Sequence, residues 1–343
     1  MRKASKTVYV AMSGGVDSSV AAALLKKRGF NVVGVFMKPW QPKGTVCLWE
    51  KDREDALRVA AILEIPFLTW DFSKEYKRSV ADYMIREYKT GRTPNPDVMC
   101  NKEIKFGLFF KRAMKAGADL IATGHYIRLR NGKLCQGKDK NKDQSYFLWT
   151  LKKEILGKCI FPVGEYTKPE VRKLARKFNL PNAVKKDSQG VCFIGPLDMK
   201  SFLAARIKSK MGRIIHVDGR ELGTHDGVFY YTIGQRHGLD IKDGQGPHFV
   251  VSKDFKKNIL YVGHEKNLLS QKAKLRDINW INSRPNLLPA VIDVKVRYRT
   301  PSKKAIMNKD GTIEFIKPER AITSGQSAVL YRGSQLLGGG IIE

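Results

Sequence analysis

Along the first third of the chain, short apolar runs alternate with longer stretches in which apolar residues recur every three or four positions. The runs at 7–12, 31–37, 65–70 and 118–123 predict buried strands, and the segments between them, 18–28, 52–64, 73–88 and 101–116, predict helices. In the second of these, Ala56, Val59, Ala60 and Leu63 share one face, behind a charged first turn of Lys51, Asp52, Arg53, Glu54 and Asp55. This alternation predicts an α/β fold, a doubly wound parallel sheet with helices on both faces. Asn131-Gly132, between 126–130 and 133–136, predicts a hairpin inserted after the fourth strand. Thr167 followed by Lys168 and Pro169 opens a basic helix over 168–178. Beyond Ser209 the texture changes to short β-type runs at 212–219, 229–233, 248–251 and 258–262, punctuated by glycine, which predicts a small β-rich module. A last set at 291–298, 304–307, 312–316 and 327–331 has the even spacing of a small barrel or sandwich.

Charge adds a partner to this picture. Among 343 residues, 63 Lys and Arg face 33 Asp and Glu, a formal net charge of +30 that suits a polyanion, nucleic acid first among them. Excess lysine can also serve only to solvate a surface, so the charge does not by itself name the partner. No charge-free stretch approaches the ~18 apolar residues of a membrane span, so no membrane association is expected. The basic start, 1–6, runs directly into the first strand without the apolar core of a secretion signal. Five cysteines, at 47, 100, 135, 159 and 192, form no C-x-x-C pair, which disfavours a zinc ribbon and an iron-sulfur cluster. An odd number of cysteines in a chain this long fits a reducing cytoplasm better than a disulfide scaffold.

The first strand leads into Ala11, Met12, Ser13, Gly14, Gly15, Val16, Asp17 and Ser18 and then into a helix. Two glycines let the backbone wrap a phosphate, the serines offer hydroxyls, and a helix N-terminus aims N–H groups at the anion. No Gly-Lys-Ser/Thr follows, so this is not a Walker A loop, and the spacing is not G-x-G-x-x-G. Asp17 is out of place beside an anion unless a magnesium ion bridges the two, so ATP with Mg2+ is the expected ligand. Ser-Gly-Gly-x-Asp-Ser in this context resembles the PP-loop ATP pyrophosphatases, which activate an oxygen by adenylation and release pyrophosphate. That resemblance leaves the nucleophile open.

Two cysteines are candidates for it. Cys100 ends a Gly/Pro-shaped stretch, 91–100, in front of the helix expected from Asn101, which is read as its cap. A thiol there, beside Lys102 and Lys105, is expected to have a lowered pKa. Cys192 lies in a second glycine-containing turn, 185–195, with Lys185 and Lys186 upstream. Cys47, Cys135 and Cys159 read as small buried hydrophobes, and His125 reads as structural.

Taken together, Ser13-Gly-Gly-Val-Asp-Ser18, Phe36-Met37, the 91–97 stretch with Cys100-Asn-Lys-Glu-Ile-Lys-Phe106, Ala122-Thr-Gly-His-Tyr126, Asn141-Lys-Asp-Gln-Ser-Tyr-Phe147, Phe161-Pro-Val-Gly164, Asp187-Ser-Gln-Gly-Val-Cys-Phe-Ile194, Thr232-Ile-Gly-Gln-Arg-His-Gly238 and Leu337-Gly-Gly-Gly-Ile341 resemble the tRNA-specific 2-thiouridylase family, over nearly the whole chain. The resemblance implies a PP-loop catalytic domain over 1–200, a central tRNA-binding domain over 208–266 and a C-terminal β-barrel over 271–343. It implies ATP-dependent 2-thiolation of the wobble uridine, U34, of tRNA. Adenylation of the uracil 2-oxygen makes AMP the leaving group, and a cysteine persulfide supplies the sulfur. Matched position by position, Cys192 carries the persulfide and Cys100 is the nucleophile, the two closing a transient disulfide that needs an external reductant. Asn95, Pro96 and Asp97 contact the target base, with Asp97 as acid or base. Ala11 through Ser18, Met37 and Gly124 bind ATP, while Lys142, Asp143, Gln144, Arg297 and Tyr298 contact tRNA. A persulfide sulfur-donor protein is the implied partner. Two other readings compete: a PP-loop amidotransferase or ligase acting on a small metabolite, and a nucleotide-regulated RNA-binding protein whose cysteines are structural.

Overall fold

The structure, a computed structural model, describes residues 5–42, 49–187, 199–282, 284–285 and 287–343. Its first unit runs β1 (Thr7–Ala11), α1 (Val16–Lys27), β2 (Asn31–Lys38), α2 (Trp49–Ile62), β3 (Phe67–Asp71) and then a helix in three pieces, α3 (Ser73–Tyr76), a π-helical stretch (Lys77–Ala81) and α4 (Asp82–Lys89). A second composite helix follows, α5 (Pro96–Met99), a π-helical stretch (Cys100–Phe109) and α6 (Phe110–Lys115). After β4 (Leu120–Ala122) come the hairpin β5 (Ile127–Arg130) and β6 (Lys133–Gln136), α7 (Lys153–Leu156), β7 (Cys159–Ile160) and α8 (Lys168–Lys177). Boundaries differ from the expected ones by a few residues, most at the second composite helix, which starts at Pro96 rather than at Asn101.

The strands pair in the order β3-β2-β1-β4-β7, all parallel. Alternate residues of β1 serve opposite faces, as the two-residue period of a strand demands. Val8 and Val10 pack with Val20 and Leu24 of α1 and Val171 of α8. Tyr9 and Ala11 pack with Tyr76, Val80, Ile104 and Phe109 on the other side. Chain order reverses across β1, with β2 on one side and β4 on the other. The crevice beyond the carboxyl ends of β1 and β4 is therefore where an open α/β sheet binds its ligand.

After α9 (Met199–Ala204), β8 (Gly212–His216), β9 (Glu221–His225), β10 (Phe249–Asp254) and β11 (Ile259–Gly263) form a small sheet in the order β10-β11-β8-β9. The last unit comprises β12 (Leu269–Trp280), β13 (Ala290–Lys295), β14 (Lys303–Met307), β15 (Thr312–Arg320), β16 (Ser327–Arg332) and β17 (Gln335–Ile342). Pairing of β12 with both β15 and β17 closes these six strands into a barrel, settling the choice between barrel and sandwich. The hairpin expected at Asn131-Gly132 is present, both residues adopting positive φ (50° and 70°) as a two-residue turn requires. Its destination is the unexpected feature: β6 pairs with β17 through Cys135 and Gln335, so the first unit contributes two strands to the barrel sheet.

Candidate active site

The loop between β1 and α1 is shaped for close approach. Gly14 has φ +74°, and a Cβ there would stand 2.1 Å from the Asp52 carbonyl oxygen of α2. Gly124, just beyond β4, packs against the first turn of α1, where a Cβ would meet the Ser18 nitrogen at 2.6 Å. Ser18 Oγ donates to the Gly15 carbonyl (3.0 Å), and the Ser13 backbone N–H donates to Ser18 Oγ (3.2 Å). Gly15, the N-cap of α1, has no side chain to cap it. The first-turn N–H groups of α1 thus face the crevice with no side-chain cap, which fits the triphosphate of ATP as a substrate. Asn182 fixes the loop from below, its amide donating to the Gly14 carbonyl and to Ser19 Oγ, both at 2.9 Å. Met37, near the end of β2, is buried and packs in one core cluster with Phe72, Tyr76 and Ile104.

Asp17 has a physical answer that the sequence did not supply. Its carboxylate accepts from Lys168 Nζ at 2.7 and 2.9 Å and from the Tyr126 hydroxyl at 2.7 Å. Lys168, buried at the start of α8, also pairs with Asp187 at 2.7 Å, and Arg172 Nη2 reaches the same carboxylate at 3.0 Å. Lys142 completes this knot through Asp187 Oδ2. Burial pulls the Asp187 pKa up, but the hydrogen bonds from Lys142 and Lys168 outweigh it and hold the group at about 2. The oddity of an aspartate in a phosphate loop, read from sequence as a reason for magnesium, is met here by a buried lysine. Lys185 makes a second tether, pairing with Asp52 (2.7 Å) and Asp55 (2.6 Å) at the first turns of α2. Tyr126 and Asp187 stood inside quoted motifs without a role. Lys168 carried only the signal of a basic helix start, and Asn182 none.

The Cys100 helix corrects one expectation. Asn95, not Asn101, is the N-cap: its side chain accepts from the Val98 N–H at 3.2 Å, and Pro96 occupies the first helical turn. Asn101 instead donates back to the Asp97 carbonyl at 2.9 Å. Cys100 therefore lies inside the helix, 0% exposed, packed in the core with Val98, Ile104 and Met37, and is not a thiol poised ahead of an N-terminus. Asp97 sits in the first turn, part-exposed. The segment leading to it is clamped from two sides. Thr93 N–H donates to the Ser324 carbonyl (2.9 Å), and Gln326 Nε2 donates to the Thr93 carbonyl (2.9 Å), both from the barrel unit. Thr93 Oγ1 lies 3.4 Å from Thr232 Oγ1, and Gly91 packs on the Phe255 ring, both in the central unit.

Cys192 and Cys47 lie outside the described residues. Cys135 and Cys159 are buried, as expected, and burial pushes the Cys159 thiol up to about 12. His125 is also buried, which with the charge of Lys105 drives its pKa well below the ordinary value; Thr123 Oγ1 lies 2.7 Å from its Nδ1.

The residues expected to touch tRNA divide. Asp143 is 6% exposed, and its carboxylate accepts from the N–H groups of Gly137 (3.0 Å) and Ser145 (3.1 Å) and the Ser145 hydroxyl (2.9 Å). In this structure it braces the segment 137–145 from within. Gln144 accepts from the Tyr126 N–H at 3.0 Å, and Lys142 belongs to the Asp187 knot at the mouth of the crevice. Arg297 donates to the carbonyls of Ile233 (2.9 Å) and Ala321 (3.3 Å), joining the central unit to the barrel. Tyr298 packs beside Phe147 with the rings tilted by 47° and their centres 4.4 Å apart, and leaves part of its surface open.

Comparison with known proteins accords with this architecture. The family described as tRNA methyl transferase HUP domain matches residues 6–196, the tRNA methyl transferase PRC-barrel domain matches 200–264, and the aminomethyltransferase beta-barrel domain matches 270–342. The chain is 46% identical, over 98% of its length and 94% of the relative's, to the tRNA-specific 2-thiouridylase MnmA of Halalkalibacterium halodurans. It is 48% identical, over the same shares, to the MnmA of Geobacillus thermodenitrificans. Among solved structures, a 4-thiouridine synthetase–RNA complex with bound ATP aligns at 19% identity and a TM-score of 0.36, covering 55% of this chain and 44% of that one, too distant to carry an argument. With three consecutive family matches and nearly full-length relatives at this identity, the chain belongs to the tRNA-specific 2-thiouridylase family.

Proposed function

We propose that this protein converts the wobble uridine of tRNA, U34, to 2-thiouridine at the expense of ATP, as a cytoplasmic enzyme. The observation that carries the reading is the Thr93–Cys100 segment. Its Thr93 is held by both the barrel and the central unit, and it leads directly into the helix that carries Asp97 and Cys100, whose Ile104 packs in the core with Met37. Ala11 through Ser18, Met37 and Gly124 bind ATP, and a magnesium ion neutralises its phosphates. The uracil 2-oxygen attacks the α-phosphorus, and pyrophosphate leaves. Asn95, Pro96 and Asp97 hold the extruded base, Asp97 managing its proton.

Cys192 carries a persulfide received from a donor protein. Its terminal sulfur attacks C2 and AMP departs, leaving the sulfur shared between Cys192 and the base. The Cys100 thiolate then attacks Cys192 Sγ, forming the Cys100–Cys192 disulfide and releasing 2-thiouridine, and a reductant restores both thiols with two electrons. Because Cys100 is fully covered, this attack requires repacking around the first turns of its helix. The segment Lys142, Asp143 and Gln144, with Arg297 and Tyr298, contacts the tRNA, and the domain boundaries at 1–200, 208–266 and 271–343 follow from the same reading.

Incubation with tRNA, ATP, magnesium and a persulfide donor, followed by a mercury gel, tests the proposal. A retarded tRNA band is expected, lost in Cys100→Ser and Cys192→Ser variants that still bind tRNA. An unshifted band with a competent donor overturns it.

A further inference from the structure

The central unit holds a cluster outside the site above. His216 ends β8, His248 stands immediately before β10 and His264 immediately after β11. Because β11 is parallel to β8 and antiparallel to β10, all three positions fall at one end of the sheet. The rings stand 5.3 to 5.7 Å apart between centres, and one nitrogen from each lies within 4.8 Å of the others.

Two features separate this cluster from a chance meeting of rings. His216 Nδ1 lies 2.9 Å from Asp218 Oδ1, and His248 Nε2 lies 2.9 Å from both carboxylate oxygens of Asp243. A carboxylate accepts only from a protonated ring nitrogen; at His216 the 2.9 Å approach of the Asp218 carboxylate prevails over the longer contact of the Asp218 N–H with the same Nδ1 (3.4 Å), so each aspartate favours the tautomer that leaves the lone pair on the opposite nitrogen. Those opposite nitrogens, His216 Nε2 and His248 Nδ1, are buried and have no hydrogen-bond partner. Both residues are 6% exposed. A buried acceptor without a donor costs about 1–3 kcal/mol, and here two imidazoles that each carry one stand together with a third, that of His264, beside them.

We propose that His216, His248 and His264 form a zinc-binding site. Neutral imidazoles are ligands for Zn2+, and a histidine bound to zinc characteristically donates its other N–H to a carboxylate, the arrangement that Asp218 and Asp243 supply. Tetrahedral zinc at about 2.0–2.1 Å from each nitrogen sets the ligand atoms roughly 3.3 Å apart. Binding therefore requires the rings to turn so that their nitrogens close from the present spacing of up to 4.8 Å to that value. The fourth position falls to water.

The role is structural. The described buried core of this sheet consists of Ile214, Tyr231, Leu239, Val250, Leu260 and Val262, a small store of apolar contact for a module of this size. Zinc at the end of β8, β10 and β11 pins the three strands together, in a unit that also holds Thr232 and Phe255 against the Cys100 segment.

The test uses the full chain, purified without a histidine tag, loaded with excess zinc and desalted. We expect close to one zinc per chain by mass spectrometry, a melting temperature lowered by chelator and restored by zinc, and a fall to below a tenth of an equivalent in His248→Ala. His264→Gln, at the half-buried position, is the milder variant should His248→Ala misfold, and it is expected to weaken zinc retention at least tenfold. Cobalt in the unaltered protein should give the intense visible absorption of a tetrahedral centre. Failure of the unaltered protein to retain zinc, a cobalt spectrum of octahedral type, or equal zinc in the unaltered and His264→Gln proteins overturns the proposal.

Discussion

At the scale of single residues, the phosphate loop was legible because its requirements are local. Two adjacent glycines and a following helix show in six letters, and Gly14 is held by its neighbours as that reading demands. The knot behind it was not legible. Lys168 meets Asp17 across 151 positions of sequence, and nothing in the spacing of either predicts the other. Lys168 should therefore carry a stability that depends on the charge of its partners. Lys168→Met leaves Asp17 and Asp187 partly buried with fewer donors and is expected to destabilise the protein by about 1–3 kcal/mol at neutral pH. The pH dependence follows from Asp187. Its folded pKa of about 2 lies below its unfolded value near 3.9, so its contribution is complete above about pH 4 and is lost as pH falls toward 2. The gap between the variant and the unaltered protein in urea denaturation should narrow on going from pH 7 to pH 3. A gap unchanged over that range contradicts the ionic account.

At the scale of elements, the helix from Pro96 to Lys115 departs furthest from its sequence reading. The Gly/Pro-shaped stretch 91–100 read as a loop ahead of a helix from Asn101, yet Asn-Pro at the cap and first turn is also a helix start, and that is the geometry adopted. Its middle is harder to foresee. Over the π-helical stretch the buried residues are Cys100, Asn101, Ile104, Phe106 and Phe109, a spacing that no 3.6-residue pattern predicts. Gly107 sustains that winding, since a Cβ there would stand 2.8 Å from the Lys102 carbonyl oxygen. Gly107→Ala is expected to cost about 1–3 kcal/mol through this overlap and to shift the helix toward ordinary α winding, turning Cys100 out of its present packing. Thiolation on a mercury gel should fall at least tenfold while ATP binding by equilibrium dialysis is retained. Gly157→Ala, where no atom comes closer than 3.8 Å, is the control. If the two variants behave alike, the π winding is dispensable to catalysis.

At the scale of the whole molecule, three units were visible as changes in texture, and the net charge of +30 pointed to a polyanion without saying how the units join. The Asn131-Gly132 turn identified β5 and β6 as a hairpin but could not show that their partner is β17, because a turn signal and a strand's pattern record the local fold and the buried face, not which edge the strand joins. That union makes the first unit and the barrel share a core. Val329, Tyr331 and Leu336 of the barrel pack in one cluster with Tyr146, Leu148 and Trp149. The Tyr146 hydroxyl donates to the Ser327 carbonyl and Trp149 Nε1 to Ser327 Oγ, each at 2.9 Å. Removing the barrel strips these two hydrogen bonds and uncovers several large side chains, a loss on the order of 5 kcal/mol, comparable with the whole stability of a typical domain. The first unit and the barrel are therefore expected to unfold together, in one calorimetric transition of the full chain. A fragment ending at residue 266 should show no cooperative melt by circular dichroism, although it keeps every residue of the phosphate loop and Cys100. A fragment that melts sharply near the temperature of the full chain would mean that the shared cluster is a docking surface between independently stable domains, and the clamp on Thr93 would then have to hold the Cys100 helix without help from a common core.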